Sequence, residues 1–364
     1  MKKLILLALL VLALAAPCSA ADVSGREAEI LNTDSLYGGL SQSARESLGE
    51  VTPTSSAGFG EQLWKLVSDV LSGSSDAIRT AVKSACMLLA AVILCSFVTS
   101  LETGLSSRAV ILAGSLAITA ICTSDLSGMI SAAGQTLDEI SNFTALLLPV
   151  LSSAAAASGA ITSASALYVG SSLFLSVLVS VIRSLLIPLV YAFAALSLAE
   201  SAMADARLSG IRKLLGWGIQ NVLKTVMYVF TGYLALTGIL SGSADAVTVK
   251  AARAAVSGAL PVVGGIASDA AESVLAGAAA IKNSVGVFGM LGVLAIGLAP
   301  FFRIAVGYLA LKIAAAVGGT AASAPHVQLL EQMSAAMGYM LAMTGSCVLM
   351  ALVSCCCFVR TVTG

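Results

Sequence analysis

Ten apolar stretches follow one another from residue 84 to residue 357, parted by short polar joints. They lie at 84–101, 109–123, 143–161, 166–182, 184–199, 222–240, 258–280, 284–300, 302–318 and 335–357. In lipid, every backbone N–H and C=O must find its partner inside its own segment or in a closed barrel. Runs of this length without period-2 alternation favour helices. The pattern predicts an all-α, polytopic membrane protein. Composition agrees, with 58% hydrophobic and 10% charged residues and a mean hydropathy of +0.98. Soluble domains carry roughly 25% charged residues. The formal net charge is zero, so no basic surplus points to nucleic acid.

The N-terminus has the parts of a secretory signal peptide over residues 1–20. Lys2 and Lys3 precede an apolar run from Leu4 to Ala16, and Cys18-Ser19-Ala20 supplies small residues for cleavage after Ala20. An uncleaved anchor is the alternative; either way Ala21 starts outside the cytoplasm. Residues 21–82 form an extracytoplasmic polar and amphipathic region, in which Asp22, Asp34, Glu61, Asp69, Asp76 and four further carboxylates outnumber the basic residues. From Phe59 to about Ile78, Leu63, Leu66, Val67, Val70 and Leu71 recur at helical spacing, which predicts an amphipathic helix with Trp64 as an interfacial anchor.

Residues 83–142 read as a helix pair with an outer loop at 124–142. A membrane unit at 143–241 and a second at 242–364 then follow. The two halves suggest an internal repeat, because Pro149 and Pro188 stand 112 residues before Pro261 and Pro300. Segments 166–182 and 184–199, parted only by Arg183 with Pro188 just beyond, form either one long kinked helix or a tight hairpin, and the parity of the positive-inside count prefers the hairpin. The positive-inside rule puts Arg108 and the group Arg207, Arg212 and Lys213 in the cytoplasm. Lys250 and Arg253, placed outside by the same count, disagree with the rule; 258–280 either spans or is re-entrant, which would flip everything after it and leaves nine or ten crossings.

The stretch from Asp245 to Gly289 is apolar, rich in small residues and broken by Pro261 and the Gly264-Gly265 pair. Irregular backbone at membrane depth is tolerated only where protein or a cavity surrounds it. Ionisable residues there are costly and mark function by default. Pro261, Gly264, Gly265, Asp269, Glu272, Lys282, Asn283 and Lys312 are therefore the candidates for a pathway or gate. Asp269 and Glu272, three apart, share a helix face. The competing reading makes such charges ion pairs or snorkelling side chains, and it weighs most for Arg183 and Arg303 near segment ends. Gly286, Gly289 and Gly292 make a smooth stripe suited to close helix packing.

Ala259-Leu260-Pro261-Val262-Val263-Gly264-Gly265, Ser268-Asp269-Ala270 and Lys282-Asn283-Ser284-Val285-Gly286 resemble the central signature of the stage III sporulation protein AE family. Ile211 to Gly218 is a second such stretch. The similarity runs from about Leu63 to the C-terminus. The resemblance implies a multi-pass component of the stage III sporulation A complex, in the mother-cell membrane surrounding the forespore. It implies a channel-like or secretion-like apparatus between the two cells that sustains forespore development. Its implied partners are ring-forming components, a cytoplasmic secretion-type ATPase and a forespore membrane protein. From the residues alone, a secondary transporter of a small solute or a scaffold without its own conduit fits as well.

Catalytic constellations are missing from the sequence. His326 is its one histidine, so neither a His-based triad nor a multi-His metal site can be assembled. The eight cysteines include no C-x-x-C pair and read as small apolar packing residues. No enzyme activity, cofactor or metal is expected.

Overall fold

A computed structural model describes residues 34–49, 59–101, 105–203, 206–259, 264–320 and 324–360, with the backbone alone described between residues 238 and 282. The signal-peptide reading and Pro261 lie outside the described residues. Every described element is helical. Two short helices, α1 (Asp34–Gly38) and α2 (Gln42–Leu48), precede α3 (Phe59–Gly73) and α4 (Ser75–Leu101). Next come α5 (Leu105–Ala157), α6 (Ile161–Val181), a π-helical turn (Ile182–Leu186) and α7 (Ile187–Met203). A 3-10 turn (Ala206–Leu208) leads to α8 (Ser209–Ala259), α9 (Gly264–Gly318) and α10 (Ala324–Arg360). Among the described residues, five stretches are long and apolar enough to cross a membrane: Ser75–Val98, Leu112–Ala157, Ile161–Met203, Asn283–Gly318 and Pro325–Arg360. The protein is an all-α, polytopic membrane protein.

The apolar stretches join end to end on fewer, longer helices than the nine or ten crossings expected. Residues 124–142, expected as a loop, are helical inside the 53-residue α5. Their dip in hydropathy is a polar stripe on one helix face. No hairpin forms at Arg183. Instead the Ile187 N–H bonds back to the Ile182 carbonyl, a π-type bond that carries the helix past Pro188, which has no N–H to give. Residues 284–300 and 302–318 likewise form one helix through Pro300. From Gly264 onward, 258–280 is the first part of that helix, not a separate span or re-entrant loop. Chain reversal occurs at turns such as that after α5, where Gly159 takes φ 99° and the Ala160 N–H reaches the Ala155 carbonyl at 3.0 Å. Glycine adopts that left-handed conformation without a Cβ clash.

Antiparallel α9 and α10 pack along their lengths against α5, and α4, α6–α7 and α8 surround them. Glycines let the central helices approach. A Cβ on Gly286 would lie 2.2 Å from Val359 Cγ2, and one on Gly297 would lie 2.4 Å from Val348 Cγ2. At Gly307 the obstacle is Met129 Cε, at 2.1 Å. Phe143, Leu147, Leu151, Phe288, Leu291, Met343 and Phe358 fill this centre and are almost wholly buried. Around it, Leu94, Phe97, Leu173, Val177 and Leu309 are exposed; apolar side chains on the outer faces of apolar helices suit lipid as solvent.

Candidate functional site

Halfway along the bundle the helices carry polar side chains and irregular backbone together. The break between α3 and α4 at Ser74, the π-helical turn, and Pro300 in α9 all fall near this height. Two adjoining lobes of a cleft open here between α3–α4, α5 and α9. One, of about 350 Å³, has Asp76, Thr80, Ser84 and Asp125 on its walls. The other, of about 470 Å³, has Asp69, Thr136 and Glu139. Arg303 and Ala77 border both lobes, so Arg303 is shared by a lobe lined by Asp76 and Asp125 and one lined by Asp69 and Glu139. Among the described residues, no carboxylate lies within ion-pair distance of Arg303.

The sequence produces this wall by simple periodicity. Asp125, Gly128, Ala132, Thr136 and Glu139 advance by three or four residues, so one face of α5 turns toward the cleft. The small residues Gly128 and Ala132 leave space between the carboxylates. On α9, Ala299, Arg303, Gly307 and Ala310 do the same. Another face of α5 carries an ion pair, Asp138 with Arg183 of the π-helical turn, both about half exposed. Arg183 also donates to the Gly134 carbonyl at 2.8 Å. The pair ties the irregular turn to α5.

A second polar cluster lies at the end of the bundle where α7 turns into α8. Arg212 Nε donates to Glu200 Oε2 at 2.7 Å, with side-chain exposures of 13% and 3%. Gln328 of α10 donates to the other Glu200 oxygen at 3.4 Å. The Arg212 guanidinium lies 5.8 Å from the centre of the Phe193 ring, and Phe193 meets Tyr339 edge-on at 5.3 Å. Nearby, the Ser115 and Ser201 hydroxyls are 2.9 Å apart. His326 is fully buried and packs with Cys95 against Gly114. The cluster fastens α5, α7, α8 and α10 at one level.

Of the candidates named from sequence, Gly264, Gly265, Asp269, Glu272 and Lys282 lie on the backbone of α9, with side chains outside the described set. Asn283 is half-buried at the start of the apolar part of α9, and Lys312 is exposed. Gly286, Gly289 and Gly292 are buried against Val359, Leu147 and Phe143 respectively. Pro149 lies within α5, Pro188 in the first turn of α7 and Pro300 within α9. Of the pathway candidates whose side chains are described, neither Asn283 nor Lys312 borders the two lobes. Asp125 and Glu139 fall in the stretch expected as an outer loop, because a polar stretch between apolar ones resembles one, and Asp76 among the carboxylates of the polar N-terminal region. The signal available was their helical spacing.

The stage III sporulation protein AE family matches residues 51–361. The chain belongs to that family. The match takes in α3 to α10 and both polar levels, and leaves α1 and α2 outside it. A stage III sporulation protein AE from Bacillus subtilis (strain 168) is 22% identical over 213 residues, covering 58% of this chain and 53% of that protein. The chain thus spans about half the length of the curated relative it matches. No solved structure matches it. Family membership gives this polytopic membrane protein a role in sporulation.

Proposed function

We propose that the chain is the multi-pass membrane component of a channel-like or secretion-like complex between mother cell and forespore, needed for forespore development. The observation that carries this reading is the Arg303 cleft, a polar recess halfway along a bundle whose outer faces are apolar. Charge in a membrane core is costly and marks function by default. Sites of that kind gather where helices of a membrane core are interrupted. The proposed setting is the mother-cell membrane around the forespore, with residues 21–82 outside the cytoplasm. Ring-forming components, a secretion-type ATPase and a forespore membrane protein are the proposed partners. Helix alternation supports the orientation: starting outside at α4, the joints after α4 and α7 and before α10 all face the cytoplasm, with Arg108 and Arg207 there.

The same cleft supports a second reading, a secondary transporter of a small solute. Substitution separates these from a scaffold without a conduit. Arg303→Ala and Asp125→Asn, introduced in the source organism, should lower heat-resistant spore counts and a forespore reporter about tenfold or more while the protein accumulates normally. Normal sporulation with both variants would leave the scaffold reading. Loss of function with the partner complex still assembled is the outcome expected of a conduit or transporter.

A further inference from the structure

The α1–α2 hairpin, from the polar N-terminal region, is seated on the bundle beside the lobe at Asp69 and Glu139. Leu36, Leu40, Ala44 and Leu48 recur every fourth residue, and each is 3% exposed or less. α1 packs on α5, and α2 on α9 and α3. Leu40 enters the notch that Gly292 leaves: a Cβ there would lie 2.5 Å from Phe143 Cζ and 3.3 Å from Leu40 Cδ2. The polar edge of α2, Ser43 and Ser47, forms part of the lobe's wall.

The hairpin is bound together internally by polar contacts and to the bundle by apolar ones. Arg45 Nε donates to the Leu40 carbonyl at 2.9 Å, and a second guanidinium N–H reaches the Gly38 carbonyl. The same guanidinium lies 5.8 Å from the Tyr37 ring centre, and Tyr37 donates to the Gly49 carbonyl at 3.4 Å. Among the described residues, no hydrogen bond or ion pair links the hairpin to α3, α5 or α9. An element so joined leaves as a unit, because undocking exposes an apolar seat and breaks none of its own polar bonds.

We infer that α1–α2 is a detachable plug that closes one lobe of the cleft. This goes beyond the conduit reading and fails separately from it. A hairpin that never leaves its seat would refute the plug and leave the Arg303 phenotype untouched.

The test uses the full-length protein with Thr136→Cys as the sole cysteine. Thr136 is 3% exposed and lies on the wall of the lobe. Its labelling by a membrane-impermeant maleimide reports on access. Leu40→Ser should speed labelling about tenfold or more, since emptying a buried leucine site shifts a docking equilibrium by at least that factor. Arg45→Ala, which disturbs the hairpin and not its seat, should give a smaller rise, about threefold. A chain keeping only Cys122, fully buried nearer the other end, should label no faster with either change. Unchanged labelling at Thr136→Cys in both variants overturns the plug. So does an equal rise at Cys122, which would assign Leu40 to holding the bundle.

Discussion

Arg212 Nε lies 2.7 Å from Glu200 Oε2 across the turn from α7 to α8, both side chains almost out of reach of solvent. Two charges taken from water repay that cost only with good geometry and filled hydrogen bonds, and here Gln328 occupies the second carboxylate oxygen. Removing one partner leaves the other charge buried. Arg212→Ala or Glu200→Ala should therefore destabilise the protein by about 3–5 kcal/mol. The joint replacement Glu200→Leu with Arg212→Met should cost far less. Thermal unfolding of the detergent-solubilised protein compares the three.

Close approach of α5 and α9 depends on Gly289. A Cβ at that position would sit 2.6 Å from Leu147 Cδ2, so Gly289→Ala should cost about 1–3 kcal/mol. Trimming the opposing side chain, as Gly289→Ala with Leu147→Val, should recover part of the loss. Independent, additive effects of the two changes would remove the contact from the account.

Tyr233 is wedged between α8 and α6. Its hydroxyl donates to the Ala166 carbonyl at 2.7 Å, its ring lies against Gly170, and Phe174 meets it at 5.5 Å. Tyr233→Phe should cost about 1 kcal/mol by loss of the hydrogen bond alone. Gly170→Ala should cost more, because the ring has to move. Unfolding midpoints in detergent order the pair.

By contrast, the ion pair of Arg183 with Asp138 is half exposed. Asp138→Asn should shift stability by no more than about 1 kcal/mol. A larger loss would mean that the pair, and not the surrounding packing, holds the π-helical turn in place.

Continuous helices also make a topological prediction. Single cysteines at Thr162, after the α5–α6 turn, and at Thr320, after α9, should lie on opposite sides of the membrane. Impermeant maleimide should label Thr162→Cys from outside, and Thr320→Cys only after permeabilisation. Labelling of both from one side would contradict the helix continuity through Pro188 or Pro300.

Fold class was plain in the sequence because lipid leaves the backbone few choices, and apolar runs of this length reveal it. The amphipathic spacing from Leu63 to Leu71 likewise matched α3. Reading failed where local chemistry was ambiguous. Asp125, Asp138 and Glu139 lower the mean hydropathy as a loop would, and Pro188 and Pro300 break helices in most settings. Neither signal tells how neighbouring helices support a polar stripe or a missing N–H. The Glu200–Arg212 pair was beyond a sequence reading for a similar reason: its geometry also requires Gln328 from α10.

What the sequence alone determined is that this chain lives in a membrane as helices and belongs by its signature to a sporulation family. Those properties follow from composition, period and local motif, which need no partner in space. Only the tertiary structure decided that ten apolar stretches share a smaller number of long helices, that carboxylates far apart in the chain line one cleft with Arg303, and that an N-terminal hairpin covers part of that cleft. Such arrangements depend on which helix faces meet, and that is set by packing among residues distant in the chain.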